Sequence, residues 1–158
     1  MTASGDELKE GSLAPDFELP SSTGKAVSLR GLRGKKVVLY FYPKDDTPGC
    51  TKEACTFRDN LPDFRRMDAV ILGVSGDSID SHRSFIKKYG LNFTLLSDGD
   101  LSVHRLYGTW REKNMYGRKY MGTERSTFVI GEDGRIKRIF RKVKVDGHEK
   151  EVLEALAS

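Results

Sequence analysis

The chain has 158 residues, 37% of them hydrophobic and 32% charged, a balance that suits a soluble globular protein and argues against disorder. With 27 basic and 23 acidic side chains the formal net charge is only +4, a mild pointer to anionic partners and no more. No apolar run nears the roughly 18 residues of a membrane span, and residues 1–10 lack the basic start and greasy core of a signal peptide, so a cytoplasmic protein is expected.

Residues 1–12 read as a loose polar lead. Ala14–Pro20 and Ala26–Leu29 are short extended segments around the turn Ser21-Ser22-Thr23-Gly24. Gly31–Lys36 is a basic loop, and the β-branched and aromatic run Val37–Tyr42 predicts a central strand covered on both faces. Pro43 ends it. A helix is predicted from about Thr47 to Arg66, with Pro62 expected to bend or split it. Ala69–Ser75 is a second buried strand, and Ser78–Tyr89 a helix with Ile79, Phe85, Ile86 and Tyr89 on one face, closed by Gly90. Phe93–Leu96 is a short strand, Leu101–Tyr107 a short helix, and Thr109–Glu124 a long polar loop. Trp110, with Tyr107, either lines the rim of a pocket or serves as core, and the core is the preferred reading. Ser126–Ile130 joins Arg135–Val143 through Gly131-Glu132-Asp133-Gly134 as a hairpin, and His148–Ala157 is a last helix.

This order describes an α/β protein, a central mixed sheet flanked by helices, in one domain spanning residues 1–158. It resembles the thioredoxin-like arrangement with an N-terminal β-hairpin extension. Basic residues gather late: 12 Lys or Arg against 4 Asp or Glu between Arg105 and Lys144. Their interleaving with apolar residues in Ile136–Val143 predicts one solvated face of a strand rather than a nucleic-acid surface.

Both cysteines, Cys50 and Cys55, fall in the stretch Pro43–Cys55. Two cysteines are too few for a disulfide scaffold, so a close pair points to catalysis or metal binding. Thr47 suits a helix N-cap, Pro48 the first helical position, and Gly49 permits close approach to the backbone. Cys50 then falls in the first turn, where unpaired N–H groups and the positive end of the helix dipole favour a thiolate. Five steps along an ideal helix separate Cα atoms by roughly 8.7 Å, beyond the about 7 Å that a disulfide tolerates. The pair is either never joined, or joined only when the helix unwinds. Thr51, Thr56, Asn60 and Pro62 form helix poorly and cheapen that opening, so oxidation is expected to disorder about residues 47–60.

Pro43-x-x-x-Thr47-x-x-Cys50 resembles the active-site signature of the peroxiredoxins. Cys55, five residues on, narrows the resemblance to the atypical two-cysteine peroxiredoxin Q class, also called bacterioferritin comigratory protein. Ala14-Pro15-Asp16-Phe17, Tyr40-Phe41-Tyr42-Pro43, Phe57-Arg58-Asp59 and Glu124-Arg125-Ser126-Thr127-Phe128 carry it along nearly the whole chain. The resemblance implies a thiol peroxidase acting as a monomer on hydrogen peroxide or organic hydroperoxides, in antioxidant defence, without a cofactor. Cys50 would be the attacking thiolate, Thr47 and the Gly49 and Cys50 N–H groups would bind the peroxide, and Arg125 would stabilise charge beside the sulfur. Pro43 would shield that sulfur from water. Glu53 is either a positioning partner of Arg125 or a surface carboxylate. Cys55 would resolve the sulfenic acid as a Cys50–Cys55 disulfide, reduced in turn by thioredoxin or a glutaredoxin-like protein.

Two rival readings are weaker. A thiol–disulfide oxidoreductase on the same fold would carry Cys-x-x-Cys, which is absent. His82, His104 and His148 show no ligand spacing with the cysteines, so a zinc site is not expected.

Overall fold

The computed structural model describes residues 8–158. Two short strands, β1 (Glu18–Leu19) and β2 (Val27–Ser28), form the expected N-terminal hairpin, and a 3-10 turn at Arg30–Leu32 leads into β3 (Lys36–Phe41). Helix α1 (Pro48–Arg66), β4 (Ala69–Ser75), α2 (Ile79–Tyr89), β5 (Thr94–Ser97) and α3 (Ser102–Leu106) follow. Strands β6 (Trp110–Met115) and β7 (Arg118–Thr123) precede β8 (Ser126–Ile130), β9 (Ile136–Phe140) and α4 (His148–Ala157). The main sheet runs in the order β5-β4-β3-β8-β9, with β3–β4 and β4–β5 parallel and β3–β8 and β8–β9 antiparallel. This is the mixed sheet that the alternation of elements predicted.

Alternation along β3 explains why its run is apolar throughout. Val38, Tyr40 and Tyr42 point to one layer with Ala54, Phe57, Leu61 and Phe64 of α1, Phe85 of α2 and Val152 and Leu156 of α4. Val37, Leu39 and Phe41 point to the other, with Phe17, Leu29, Val103, Tyr107 and Phe128. The strand is buried on both faces, and its C-terminal end delivers the chain to the start of α1.

Four expectations are corrected. Residues 1–7 of the supposed loose lead lie outside the described residues, but residues 10–13 are held along β9. Gly11 N–H donates to the Ile136 carbonyl at 2.7 Å, Ile139 N–H to Glu10 Oε2 at 3.1 Å, and Leu13 bridges Arg135. Of the bend or split expected at Pro62, the split is absent, since α1 runs unbroken through it. Proline leaves the carbonyl four residues back without its helical donor, and Asn92 Nδ2 supplies one to the Arg58 carbonyl at 3.2 Å.

The stretch read as a polar loop is a hairpin, with β6 and β7 paired from Trp110↔Thr123 to Met115↔Arg118. Its two-residue turn has Tyr116 and Gly117 at φ of 52° and 78°, the left-handed pair of a type I′ turn. Both of its faces are largely open to solvent, so the sequence carries no apolar–polar alternation to betray the strands. Finally, Tyr107 is in the core, its hydroxyl donating to the Pro15 carbonyl at 2.6 Å, whereas Trp110 is only half-buried.

The late basic residues are tied to the fold. Lys137 Nζ donates to the Ser158 carbonyl at 2.6 Å, Arg138 pairs with Glu10, and Arg141 Nη1 donates to the Tyr107 carbonyl at 3.2 Å. Among the described residues, no helix is long and apolar enough to cross a membrane.

Candidate active site

Thr47 stands at the N-cap of α1 with extended backbone angles, and Pro48 fills the first helical position. The first intrahelical bond runs from the Thr51 N–H to the Thr47 carbonyl, which leaves the Gly49 and Cys50 N–H groups ahead of it. The Thr47 side chain does not cap the helix, contrary to expectation. Its hydroxyl instead donates to the Lys44 carbonyl at 2.9 Å, so its oxygen lone pairs remain able to accept a hydrogen bond. Cys50 is 2% exposed and packs among Tyr42, Ala54 and Phe57. Pro43, one turn of loop earlier, is exposed.

Arg125 enters from the bend before β8. Its Nη2 donates to Cys50 Sγ at 3.3 Å and its Nη1 to Glu53 Oε1 at 2.5 Å. Cys50 and Glu53 lie three residues apart on one helix, hence on one face, and a single guanidinium spans both. Burial works to discharge Arg125, but Glu53 and Cys50 outweigh it and hold the guanidinium above its ordinary range. Burial likewise pushes the Glu53 carboxyl up to about 7, against the pull of Arg125. A side chain at Gly49 would bring a Cβ within 3.2 Å of Arg125 Nη2, so glycine there lets the arginine lie across the helix start.

Two contributions to the site escaped the sequence reading. Lys113 of β6 is close enough to feel both Arg125 and Cys50; burial first, then Arg125, lowers its pKa. The second is a buried network that fixes the loop between Pro43 and Thr47. Asp45 accepts from the Tyr42 hydroxyl at 2.5 Å and the Ser81 hydroxyl at 2.8 Å, lies 2.7 Å from His82 Nδ1, and gives its own N–H to Asp77 Oδ2 at 2.8 Å. His82 Nε2 donates to the Leu96 carbonyl at 2.9 Å, anchoring the loop to β5. Asp45, Asp77 and His82 gather three potential metal donors, and the hydrogen bonds above already occupy them. His82, fully buried, takes the inward face of α2 alongside Phe85. A histidine within a polar helix pattern carries no signal of burial without knowledge of the aspartate it meets.

Cys55 is a free, half-buried thiol two turns from the N-terminus of α1, packed on the margin of the same core as Cys50. Both cysteines belong to one uninterrupted helix, the state in which ideal spacing keeps them too far apart to bond.

Comparison with known proteins finds a family, a relative of similar length and two solved structures. Residues 11–139 match the AhpC/TSA family. Peroxiredoxin Bcp of Bacillus subtilis is 49% identical over 149 residues, covering 94% of this chain and 95% of that protein. The solved structure of Xanthomonas campestris bacterioferritin comigratory protein, studied for alkyl peroxide reduction, superimposes with a TM-score of 0.87 at 45% identity, covering 96% of each chain. A cysteine-to-serine variant of Xylella fastidiosa PrxQ gives a TM-score of 0.90 at 40% identity, with 96% of each chain covered.

Proposed function

The chain belongs to the AhpC/TSA family and is a peroxiredoxin of the Bcp/PrxQ kind, a thiol peroxidase, and we propose that Cys50 is the sulfur that attacks the peroxide and Cys55 the one that resolves it. One observation carries the assignment of roles: Cys50, alone of the two thiols, is buried at a helix N-terminus with the Arg125 guanidinium 3.3 Å from its sulfur. Helix and guanidinium both favour the anionic nucleophile.

In the first step the Cys50 thiolate attacks one peroxide oxygen. The S–O bond forms, the O–O bond breaks, and the departing alkoxide or hydroxide leaves with the electron pair and is protonated. Arg125 and the Gly49 and Cys50 N–H groups stabilise charge growing on those oxygens, while the Thr47 oxygen accepts from the peroxide O–H. Pro43 closes the outer side of this pocket. Cys55 thiolate then attacks the Cys50 sulfenic acid, forming S–S as the S–O bond breaks and expelling hydroxide, which takes up the proton Cys55 gave to solvent and leaves as water; this spares the sulfur from irreversible oxidation. A dithiol protein such as thioredoxin, or a glutaredoxin-like protein, returns two electrons. Hydrogen peroxide and organic hydroperoxides are the substrates. Both cysteines lie in one helix, so one chain completes the cycle.

The test is a peroxidase assay coupled to thioredoxin. Cys50→Ser loses activity altogether. Cys55→Ser consumes one equivalent of oxidant and then stalls unless a small thiol rescues it. Sustained turnover by Cys50→Ser overturns the assignment.

A further inference from the structure

The β6–β7 hairpin presents an apolar tip that the peroxidase chemistry does not use. Among the described residues, four of the five most exposed large hydrophobic side chains belong to it: Met115 at 56%, Tyr116 at 100%, Tyr120 at 43% and Met121 at 50%. Strand register sorts them. Lys113 pairs with Tyr120 and Met115 with Arg118, so Lys113, Met115, Arg118 and Tyr120 share one face, while Met121 lies on the other. β7 ends at Thr123, two residues before Arg125, whose Nη2 lies 3.3 Å from Cys50 Sγ, so the hairpin springs from the margin of the site, and Lys113 on this face feels the charges of Arg125 and Cys50. Met115 lies about 7 Å further along the strand. Met115, Tyr116, Arg118, Lys119 and Tyr120 line an open depression of about 650 Å³.

We propose that this face of the hairpin tip is the docking surface for the dithiol protein that reduces the Cys50–Cys55 disulfide. The inference rests on the peroxidase reading above. A reductant must bring its own thiolate in line with that disulfide, and any protein large enough to do so covers ground several ångströms to the side of it. The tip offers that ground as aromatic and methionine side chains, the types that anchor protein interfaces. Arg118 and Lys119 rim it, and the hairpin holds four basic residues to one acidic between Trp110 and Thr123, so the matching surface is apolar with an acidic rim. A second copy of this chain is disfavoured by the same charges, because a two-fold contact would bring one net-basic hairpin tip against another.

The experiment compares wild type with Met115→Ser/Tyr116→Ser/Tyr120→Ser and, as a control on the opposite face, Met121→Ser. Three quantities are read: oxidation of the reduced protein by one equivalent of H₂O₂, steady-state turnover with dithiothreitol, and kcat/KM for thioredoxin. The triple variant is expected to match wild type in the first two and to lose about tenfold or more in the third, as truncation of interface anchors does; Met121→Ser is unchanged in all three. Equal thioredoxin kcat/KM for wild type and triple variant overturns the proposal. So does an equal loss with dithiothreitol, which would place the tip in peroxide handling. So does a wild type recycled by dithiothreitol and not by thioredoxin. Failure of wild type to react with H₂O₂ at all would instead sink the peroxidase reading, and is told apart by the first measurement.

Discussion

Glu53 is a carboxylate with 2% exposure whose Oε1 meets Arg125 and whose Oε2 has no hydrogen-bond partner among the described residues. A carboxyl so placed holds its proton more tightly in the folded chain than in the unfolded one, rising from 4.5 to about 7 because burial outweighs the arginine. The unfolded chain releases that proton first, so the contribution of Glu53 to stability is complete below its unfolded value and is lost as pH rises through about 7. The loss across that window is about 3 kcal/mol. Glu53→Gln, which cannot ionise, removes it. Denaturant unfolding at pH 5 and pH 8 should therefore show wild type losing about 3 kcal/mol relative to Glu53→Gln; parallel behaviour of the two proteins would show that the carboxyl is ionised throughout. Sequence left Glu53 suspended between surface carboxylate and arginine partner. The three-residue spacing from Cys50 was visible, but only the fold brings Arg125, 72 positions away, to close the pair.

At the scale of elements, α1 holds both cysteines and is built in two parts. Its first turns hold Cys50, exposed Lys52 and half-buried Cys55, and bear Thr51 and Thr56, both weak helix formers. Past Phe57 it is pinned: Arg58 Nη1 donates to the Tyr89 carbonyl at 2.5 Å, Asn92 reaches the Arg58 carbonyl, and Leu61 and Phe64 are buried in the core. Disulfide formation is then expected to open the helix only as far as the pin. Amide hydrogen exchange should lose protection over about residues 50–56 on oxidation and keep it from Leu61 onward, a narrower window than sequence alone suggested; equal protection in both redox states would contradict it. The two halves differ in legibility for a physical reason. Caps, proline and weak formers are local and can be read from the chain, whereas the Asn92 donor that lets Pro62 sit inside a helix comes from a distant loop. The β6–β7 hairpin was illegible because strands exposed on both faces need no alternation, and Tyr116-Gly117 is not one of the common hairpin pairs.

At the scale of the whole molecule, a sheet buried on both faces fixes three things at one end of its central strands: the C-terminal end of β3, the start of α1, and the short connection before β8 that delivers Arg125. The strands and helices that build this frame have strong periodic signals and were legible, down to the Ser78 N-cap and Gly90 closure of α2. The polar network of Asp45, His82 and Asp77 that locks the loop before Cys50 was not, because each member looks like an ordinary surface residue until the fold assembles them. On the proposed mechanism, this frame holds the Cys50 sulfur ready and keeps Cys55 away until the helix yields. The most direct test is intact-mass and peptide analysis of reduced protein treated with one equivalent of H₂O₂. The predicted result is loss of two hydrogens per chain, located as a bond between Cys50 and Cys55 within single chains, and a trapped sulfenic acid on Cys50 in Cys55→Ser. Peroxide consumption with Cys50 left as a free thiol would contradict the account.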